Sequence, residues 1–347
     1  MVTKQEIIAS FDPSEVAVSN GNLFGFPFDA ETADVIVLGV PWEVTVSYGA
    51  GTAQGPQAVL AASPQLDFFD LDNPTGWHQG IWMMPISSGL MASNADLRSQ
   101  AAQVIAGQER GLDIVQDDTL AGKLAEVNRG CEAMNQWVRD QSRQVLAQGK
   151  KVAVVGGDHS VPLGYLQALA EIYPEFGILH IDAHADLRDA YEGFEFSHAS
   201  IMYNALKVPQ ISKLVQVGVR DVSPVEVALA NRSEGRVVMH FDSVLKQKGY
   251  GGTPWLVTCQ EIVTDLPQRV YVSFDVDGLD PKLCPGTGTP VPGGLALEEA
   301  YCLLRTVVES GREIIGFDLC EAGPGEWDGN VGARIVYKLF NLMGLRS

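Results

Sequence analysis

The chain carries the sequence GILHIDAHAD at residues 177–186. The first half of this stretch is apolar and typical of a buried parallel strand, so Asp182, His184 and Asp186 come at the end of that strand. Residues two apart on an extended backbone point to the same side, so the three side chains face one point. Carboxylate oxygens and an imidazole nitrogen that converge in this way suit a divalent metal. A strand-end cluster of salt bridges is the alternative.

Two further strands end with the same types of residue. The strand VYVSF at 270–274 precedes Asp275 and Asp277, and the strand KVAVV at 151–155 runs into GGDHS at 156–160, which contains His159. The two glycines allow a sharp turn and a close approach to a neighbouring strand. Together the three strands deliver two histidines and four aspartates, enough for two metals that share bridging carboxylates.

Three motifs carry a resemblance to a known family. GGDH at 156–159, DAHAD at 182–186 and SFDVDGLDP at 273–281 resemble the signatures of the ureohydrolases, which include arginases, agmatinases, guanidinobutyrases, formimidoylglutamases and guanidine hydrolases. The resemblance runs from about Val35 to Phe340. It implies hydrolysis of a guanidino C–N bond to urea and an amine or ammonia, with two divalent ions per subunit, Mn²⁺ or Ni²⁺. The implied metal ligands are His159 and Asp186 for one ion, His184 and Asp277 for the other, and Asp182 and Asp275 as bridges.

The resemblance also implies catalytic side chains. Glu321, in GFDLCEAGP at 316–324, matches the family's glutamate that pairs with the guanidinium group in a bidentate manner; an ion pair with Arg334 is the alternative. His198 matches the family's histidine that moves protons, a role for which a neutral-range pKa is suitable. Asp186 is counted as catalytic as well as metal-binding. His180 either supports the metal ligands or is an ordinary core histidine.

Two sequence differences from the arginases narrow the choice of substrate. Arginases carry asparagine where this chain has Arg188 and aspartate where it has Ser223, so arginine is not the expected substrate. Formimidoylglutamases favour arginine near position 188, where it could hold a carboxylate. An ion pair of Arg188 with Glu226 or Asp189 is the other interpretation.

The segments 191–203 and 327–330 resemble an agmatinase-like branch that includes guanidine hydrolases. We expect Phe194 and Trp327 to add bulk to the substrate pocket, and Thr52 to accept a hydrogen bond from a small substrate. Guanidine or a small alkylguanidine is therefore expected, with agmatine or guanidinobutyrate as the alternative.

Composition limits the partners. The 347 residues carry a formal net charge of −19, which argues against nucleic acid and anionic membranes and suits a small cationic guanidino substrate. Five scattered cysteines indicate reduced thiols. No signal-like or membrane-spanning apolar run is found, so a cytoplasmic protein is expected. The family resemblance suggests a homo-oligomer, either a trimer or a hexamer.

Strand and helix patterns alternate along the chain. This rhythm predicts a three-layer α/β/α fold with a mainly parallel central sheet, arginase-like by resemblance. We expect residues 1–33 to form an N-terminal arm that packs on a neighbouring subunit, and residues 34–347 to form a single catalytic domain.

Two other classes of protein are weighed against the hydrolase. A non-catalytic partner subunit of a hetero-oligomeric ureohydrolase would be marked by lost ligands, whereas all six are present. A deacetylase-like hydrolase with one zinc ion shares the fold, but GGDH together with Asp275 and Asp277 favours two metals. Metal analysis of the purified protein would separate the three classes.

Overall fold

The computed structural model describes residues 2–345. Within this range eight strands form one sheet, and every neighbouring pair of strands runs parallel, so the sheet predicted to be mainly parallel is parallel throughout. The strands are β1 (Val35–Val40), β2 (Ile81–Met83), β3 (Lys151–Gly156), β4 (Phe176–Ile181), β5 (Ile211–Val219), β6 (Val237–Phe241), β7 (Arg269–Asp275) and β8 (Glu313–Cys320).

Helices flank the sheet and complete the predicted three-layer α/β/α architecture. In residues 2–345 they are α1 (Lys4–Ser10), α2 (Gly55–Ala62), α3 (Ser88–Glu109), α4 (Asp118–Leu146), α5 (Leu163–Ala170), α6 (Ile201–Ala205), α7 (Pro224–Arg232), α8 (Asp242–Tyr250), α9 (Trp255–Thr264), α10 (Leu297–Glu309) and α11 (Glu326–Gly344). Helix α4 packs against α3 and α5, α2 against α11, and α9 against α10.

Helix α4 shows how the sequence specifies one of these elements. Asp117 accepts hydrogen bonds from the backbone N–H groups of Thr119 and Leu120 and so caps the first turn. Apolar side chains at steps of three and four, including Val127, Cys131, Met134 and Val138, form its buried face. The helix that this stripe predicts is therefore present.

The order of strands across the sheet is β2-β1-β3-β8-β7-β4-β5-β6. Strands β3, β8, β7 and β4 are thus consecutive neighbours in the middle of the sheet, although they are far apart in sequence. Because all of them run parallel, their carboxyl ends lie at one edge, where open α/β sheets bind ligands. Strand β4 is buried along its whole length, whereas most of the edge strand β6 is only half-buried.

The N-terminal segment packs against the body of its own chain. Phe24, Phe26 and Phe28 are buried in the main hydrophobic cluster, and the ring of Phe11 contacts those of Phe26 and Trp77. The aromatic residues of this segment are therefore buried by the chain itself. Packing of the segment on a neighbouring subunit stays a prediction. The division of the chain at residue 33 stays a prediction.

No helix within residues 2–345 is both long enough and apolar enough to cross a membrane.

Candidate metal centre

Three strands in the middle of the sheet, β3, β4 and β7, deliver the candidate metal ligands to one edge. His159 follows β3, Asp182, His184 and Asp186 follow β4, and Asp275 ends β7, with Asp277 two residues beyond. All of these side chains are buried except His184, which is half-buried. The convergence predicted from the strand-end pattern is therefore present in the structure.

Gly157 allows the turn after β3 to pass close to its neighbours. A Cβ atom at this position would collide with the carbonyl oxygen of Trp42, which follows β1. The backbone N–H of Asp158 donates to that same carbonyl over 2.7 Å, and the carbonyl of Gly157 accepts from the N–H of Glu321 over 2.7 Å. Glycine at 157 thus brings His159 and Glu321 to the same point.

One group of candidate ligands surrounds the ring of His159. Its Nδ1 atom lies 3.0 Å from Oδ2 of Asp182, 3.3 Å from Oδ2 of Asp186 and 3.1 Å from Oδ2 of Asp275. These are the residues assigned by resemblance to the first metal and to the two bridges.

The second group surrounds His184. Its Nδ1 atom lies 3.4 Å from Oδ1 of Asp182 and 3.1 Å from Oδ2 of Asp277. Asp182 therefore directs one carboxylate oxygen to each histidine, as a bridging ligand must. Ligand atoms of His159, His180, Asp182 and Asp186 lie within 4.8 Å of one another, and so do those of Asp182, His184 and Asp277.

The buried carboxylates of the cluster lie close together, and bound positive charge would stabilise them. Burial, followed by the charge of Asp182, raises the pKa of Asp186 to about 6, and burial with the charge of Asp277 raises the pKa of Asp275. Burial alone would lower the pKa of His159, but its contacts with three carboxylates outweigh that effect and raise the pKa well above the ordinary value. The same donor atoms that hold protons so strongly can ligate divalent cations. The residues present therefore fit two metal ions.

The backbone is strained at two residues of the site. Asp186 and Glu321 have φ angles of 54° and 64°, in the left-handed region that side chains other than glycine rarely adopt. Such conformations persist where the surrounding structure holds them, and they concentrate at functional sites.

A second set of polar side chains lies behind the candidate ligands. Nε2 of His159 is 2.9 Å from Oγ of Ser273, which donates over 2.8 Å to Oδ2 of Asp318. His180 contacts Asp182 over 2.8 Å. The structure therefore matches the interpretation in which His180 supports a metal ligand. These contacts orient the ligand side chains.

Glu321 faces the metal ligands from the end of β8. Its Oε1 atom accepts the backbone N–H of His159 over 3.0 Å, whereas Oε2 is buried and has no hydrogen-bond partner in residues 2–345. Burial, followed by the negative charges of Asp158 and Asp277, raises the pKa of Glu321 well above its ordinary range. Arg334, the alternative partner, donates instead to Asn330. Glu321 is thus available to a cationic group in the cavity.

His198 also lines the cavity, after a loop that follows β4. Its backbone N–H donates to Oγ1 of Thr45 over 3.3 Å, and Nδ1 lies 3.5 Å from that hydroxyl and 3.4 Å from Oγ of Ser197. Burial, followed by the positive charges of His184 and His159, lowers the pKa of His198 to about 4. A neutral-range pKa would suit a proton carrier, but burial and the two nearby histidines lower the pKa of His198 below that range, and the sequence shows neither effect.

A cavity of about 180 Å³ opens over these residues. Its lining includes most of the candidate ligands together with Glu321, His198, Arg188, Ser47, Tyr191, Ala199, Asp221, Val222, Glu226 and Thr289. The catalytic residues predicted from the sequence are therefore brought together, and Arg188 is with them.

Three residues predicted to bind substrate lie outside this lining. Phe194 is wholly buried in the hydrophobic core. Thr52 is also buried, with its hydroxyl 3.4 Å from a carboxylate oxygen of Glu43. Trp327 is 55% exposed and donates from Nε1 to the carbonyl of Lys282. These three residues therefore make other contacts than those expected of residues that line a substrate pocket. The sequence shows which residues lie near a site, but not the direction in which a side chain points.

Arg188 and Ser223 are both engaged by Glu226. Nε of Arg188 lies 3.1 Å from Oε2 of Glu226, and the guanidinium group stacks over the ring of Tyr191 at 5.4 Å. Ser223 donates over 2.7 Å to the same oxygen and caps α7 in a capping box. The ion pair is thus the interpretation of Arg188 that the structure supports.

Sequence reasoning missed several residues of the lining. Asp221 follows β5 and could have been found by the same strand-end rule that found the metal ligands. Thr289, whose Oγ1 donates to Oδ2 of Asp277 over 3.4 Å, lies in a loop without such a signal. Ser47 and Tyr191 also come from loops, which pattern analysis places poorly.

Comparison with known proteins agrees with this geometry. Residues 33–341 match the arginase family. The N(1)-aminopropylagmatine ureohydrolase of Thermus thermophilus is 33% identical over 319 residues, which cover 91% of this chain and 92% of that protein. The agmatinase of Salmonella newport is 30% identical over 315 residues, which cover 87% of this chain and 86% of that protein.

A solved structure shares the fold. The agmatine ureohydrolase of Thermoplasma volcanium superposes with a TM-score of 0.68 at 21% identity, covering 98% of this chain and 97% of that one. The predicted arginase-like fold and the ureohydrolase class of hydrolase are thereby confirmed. The chain belongs to the arginase family.

Proposed function

We propose that this protein is a two-metal hydrolase that cleaves a guanidino C–N bond and releases urea, with guanidine or a small alkylguanidine as its substrate. The observation that carries the substrate proposal is the size of the cavity. Its volume of about 180 Å³ is below the range of about 300–1,000 Å³ that is usual for pockets of drug-sized ligands. A substrate of few atoms fits such a space best.

The chemistry of the lining supports a cation of this shape. The buried carboxylate of Glu321 has a free oxygen, and a planar guanidinium can donate two parallel hydrogen bonds to a carboxylate. That pair would hold the guanidinium carbon in a fixed position over the metal ligands. A small cation offers few other contacts, so we expect a KM near the upper end of the usual range, at about 1 mM.

The absence of an amino-acid handle supports the same proposal. Arg188 and Ser223 occupy the positions at which an α-carboxylate and an α-amine would be held, and both are engaged by Glu226. Arginine therefore gains little at the outer end of the cavity. A formimidoylglutamate carboxylate would have to compete with Glu226 for Arg188.

The site residues divide the work of hydrolysis. His159, Asp182, His184, Asp186, Asp275 and Asp277 would hold two divalent ions, which when bound supply a Lewis acid and lower the pKa of water. Hydrolysis forms a C–O bond and breaks a C–N bond, and the departing nitrogen must gain a proton. His198, neutral at pH 7 because burial lowers its pKa, can accept a proton and pass it on.

We assign Mn²⁺ or Ni²⁺ to the site. Four carboxylates favour a hard ion such as Mn²⁺, whereas two imidazoles and the general order of affinities admit Ni²⁺. We further propose a cytoplasmic homo-oligomer, either a trimer or a hexamer. A role as a non-catalytic partner subunit gains no support from a chain that keeps all six candidate ligands.

Agmatine or a related guanidino amine is the second candidate substrate. Asp221, which is exposed, and Glu226 both line the cavity and could attract a distant ammonium group. The names of the relatives from Thermus and Salmonella also point to substrates of this kind.

Urea release from a panel of substrates tests the proposal. Guanidine, methylguanidine, agmatine, 4-guanidinobutyrate, arginine and formimidoylglutamate should be compared, each with Mn²⁺ and with Ni²⁺. We expect the highest kcat/KM for guanidine or methylguanidine. A far larger kcat/KM for agmatine, lost in Asp221→Asn while guanidine turnover stays, would transfer the assignment to the second candidate.

A further inference from the structure

The segment of residues 190–197, here called the His198 loop, leads directly into the proposed proton carrier. Three of its residues have left-handed backbone: the φ angles of Ala190, Glu192 and Gly193 are 50°, 55° and 82°. Two of the three carry side chains, for which this conformation is uncommon. A loop strained in this way keeps its shape only where other groups hold it.

One side chain of α4 holds the middle of the loop. Nδ2 of Asn128 donates to the carbonyl of Gly193 over 3.1 Å, and Oδ1 accepts the backbone N–H of Glu195 over 2.9 Å. Asn128 is half-buried on the helix face that meets the loop. The nitrogen and the oxygen of its amide therefore each form a hydrogen bond with a backbone group, 65 and 67 residues away in sequence.

Two other amides hold the same stretch. Gln108 of α3 donates to the carbonyl of Glu192 over 3.0 Å, and Asn204 of α6 donates to that of Glu195 over 2.8 Å. Side-chain amides from three helices thus bind the backbone of 192–195. Asn128 is the one among these three that contacts the loop through both a donor and an acceptor.

The ring of His198 depends on this loop for its surroundings. Tyr191, at the start of the loop, meets the ring edge-on at a centroid distance of 6.4 Å, and Ser197, at its end, lies 3.4 Å from Nδ1. The contacts of Nδ1 with Ser197 and Thr45 are long, at 3.4 and 3.5 Å. Such contacts restrain the ring weakly, so its position follows that of the backbone.

We propose that Asn128 is a positioning residue, which sets the place of His198 by fixing the strained backbone of 192–195 against α4. Asn128 does not touch the cavity and acts only through the loop. The inference rests on the proposed function, because it assumes that His198 moves a proton during hydrolysis.

The first test replaces Asn128 by alanine. Alanine is the best helix former, so Asn128→Ala removes both hydrogen bonds without weakening α4. We expect kcat to fall by about 10- to 100-fold, as displaced catalytic groups commonly cause, while KM and the metal content stay unchanged. Gln136→Ala is the matched control: it removes another side-chain amide from α4, an exposed one that donates to Asp140 on the same helix, and should leave kcat unchanged.

A double variant distinguishes positioning from a general structural effect. If Asn128 acts through His198, then Asn128→Ala adds nothing to the loss already caused by His198→Ala. Equal kcat values for the double variant and His198→Ala support the proposal. A further ten-fold loss in the double variant overturns it, as does a wild-type kcat for Asn128→Ala.

Hydrogen exchange separates this inference from the proposed function. The amide of Glu195 donates to Asn128, so its exchange should speed up in Asn128→Ala whether or not the protein releases urea. Faster exchange with no urea from any substrate supports the role of Asn128 in fixing the loop and contradicts the proposed function. Unchanged exchange in an active enzyme contradicts the role of Asn128. If Asn128→Ala does not fold, Asn128→Ser, which is too short to reach both backbone groups, provides the same readout at the amide of Glu195, with the same outcomes deciding.

Discussion

His180 contacts Asp182 through Nε2 over 2.8 Å, and both side chains are buried. The other ring nitrogen, Nδ1, accepts from Nε2 of Gln216 over 2.9 Å, so the proton lies on Nε2 and is donated to the carboxylate. Gln216 also donates to the carbonyl of Ala185. A chain of hydrogen bonds across β4 and β5 therefore orients the carboxylate that faces both histidine ligands.

Replacing His180 should weaken metal binding without abolishing it. Groups that orient a metal ligand commonly contribute about 10- to 100-fold in affinity, so we expect a loss of that size for His180→Ala in a metal titration. His240→Ala is the control, because His240 lies on the edge strand β6, near Asp265, away from the metal ligands. Unchanged affinity in His180→Ala would mean that Asp182 needs no such support.

Asp182→Asn should lose both ions. A neutral amide cannot bridge two cations as a carboxylate does, and Asp182 is the residue whose two oxygens face His159 and His184. Metal content per chain, measured by mass spectrometry after dialysis, gives the answer. Asp189→Asn, an exposed change nearby, should keep both ions. A fully loaded Asp182→Asn protein would contradict the two-metal assignment.

His198→Ala should slow turnover while both metals stay bound. Removing a general acid or base typically costs about 10²- to 10⁴-fold in rate, and His198 lies outside the two groups of candidate ligands. Steady-state rates and metal content should be measured on the same preparation. Loss of metal in this variant would instead make His198 a ligand.

The same residue gives a pH prediction. Burial lowers the pKa of His198 to about 4, so the neutral, proton-accepting form persists well below its ordinary pKa. The loss of rate caused by protonating His198 should therefore begin below about pH 5 rather than near the usual value of about 6.5. The stability of the folded protein changes with pH in the same direction. The contribution of neutral His198 to the free energy of unfolding is present above about pH 6.5 and declines as the pH falls. Rates from about pH 4.5 to 8 under saturating metal, compared with those of His198→Ala, should therefore show no loss near 6.5 that depends on His198. A midpoint near 6.5 that disappears in the variant would show that the ring is solvated.

Glu321→Gln should depress activity on every guanidino substrate. The amide can neither balance the guanidinium charge nor accept two hydrogen bonds, so we expect kcat/KM to fall by roughly 10²-fold or more. The comparison should include guanidine, methylguanidine and agmatine. Glu326→Gln is the control, since Glu326 is exposed in the first turn of α11. A selective loss for one substrate alone would place Glu321 outside the common step.

The sequence by itself determined the class of fold and the candidate ligands of the metal centre. Apolar runs that end in aspartate and histidine identify buried strands and the polar groups at their ends, and this pattern is local. Alternation of such runs with amphipathic helices implies parallel strands, whose ends share one edge of a sheet. Asp182, His184 and Asp186 could therefore be assigned together before their distances were known.

Only the tertiary structure decided what surrounds that centre. The insertion of β8 and β7 between β3 and β4 brings Glu321 beside His159, and no local pattern encodes that order of strands. Phe194 lies in the core and Trp327 faces solvent, although both sit near the site in sequence. Asn128 meets Gly193 across 65 residues. Such contacts depend on how whole helices and strands pack, because burial and hydrogen bonding are satisfied between elements and leave no short-range signature in the chain.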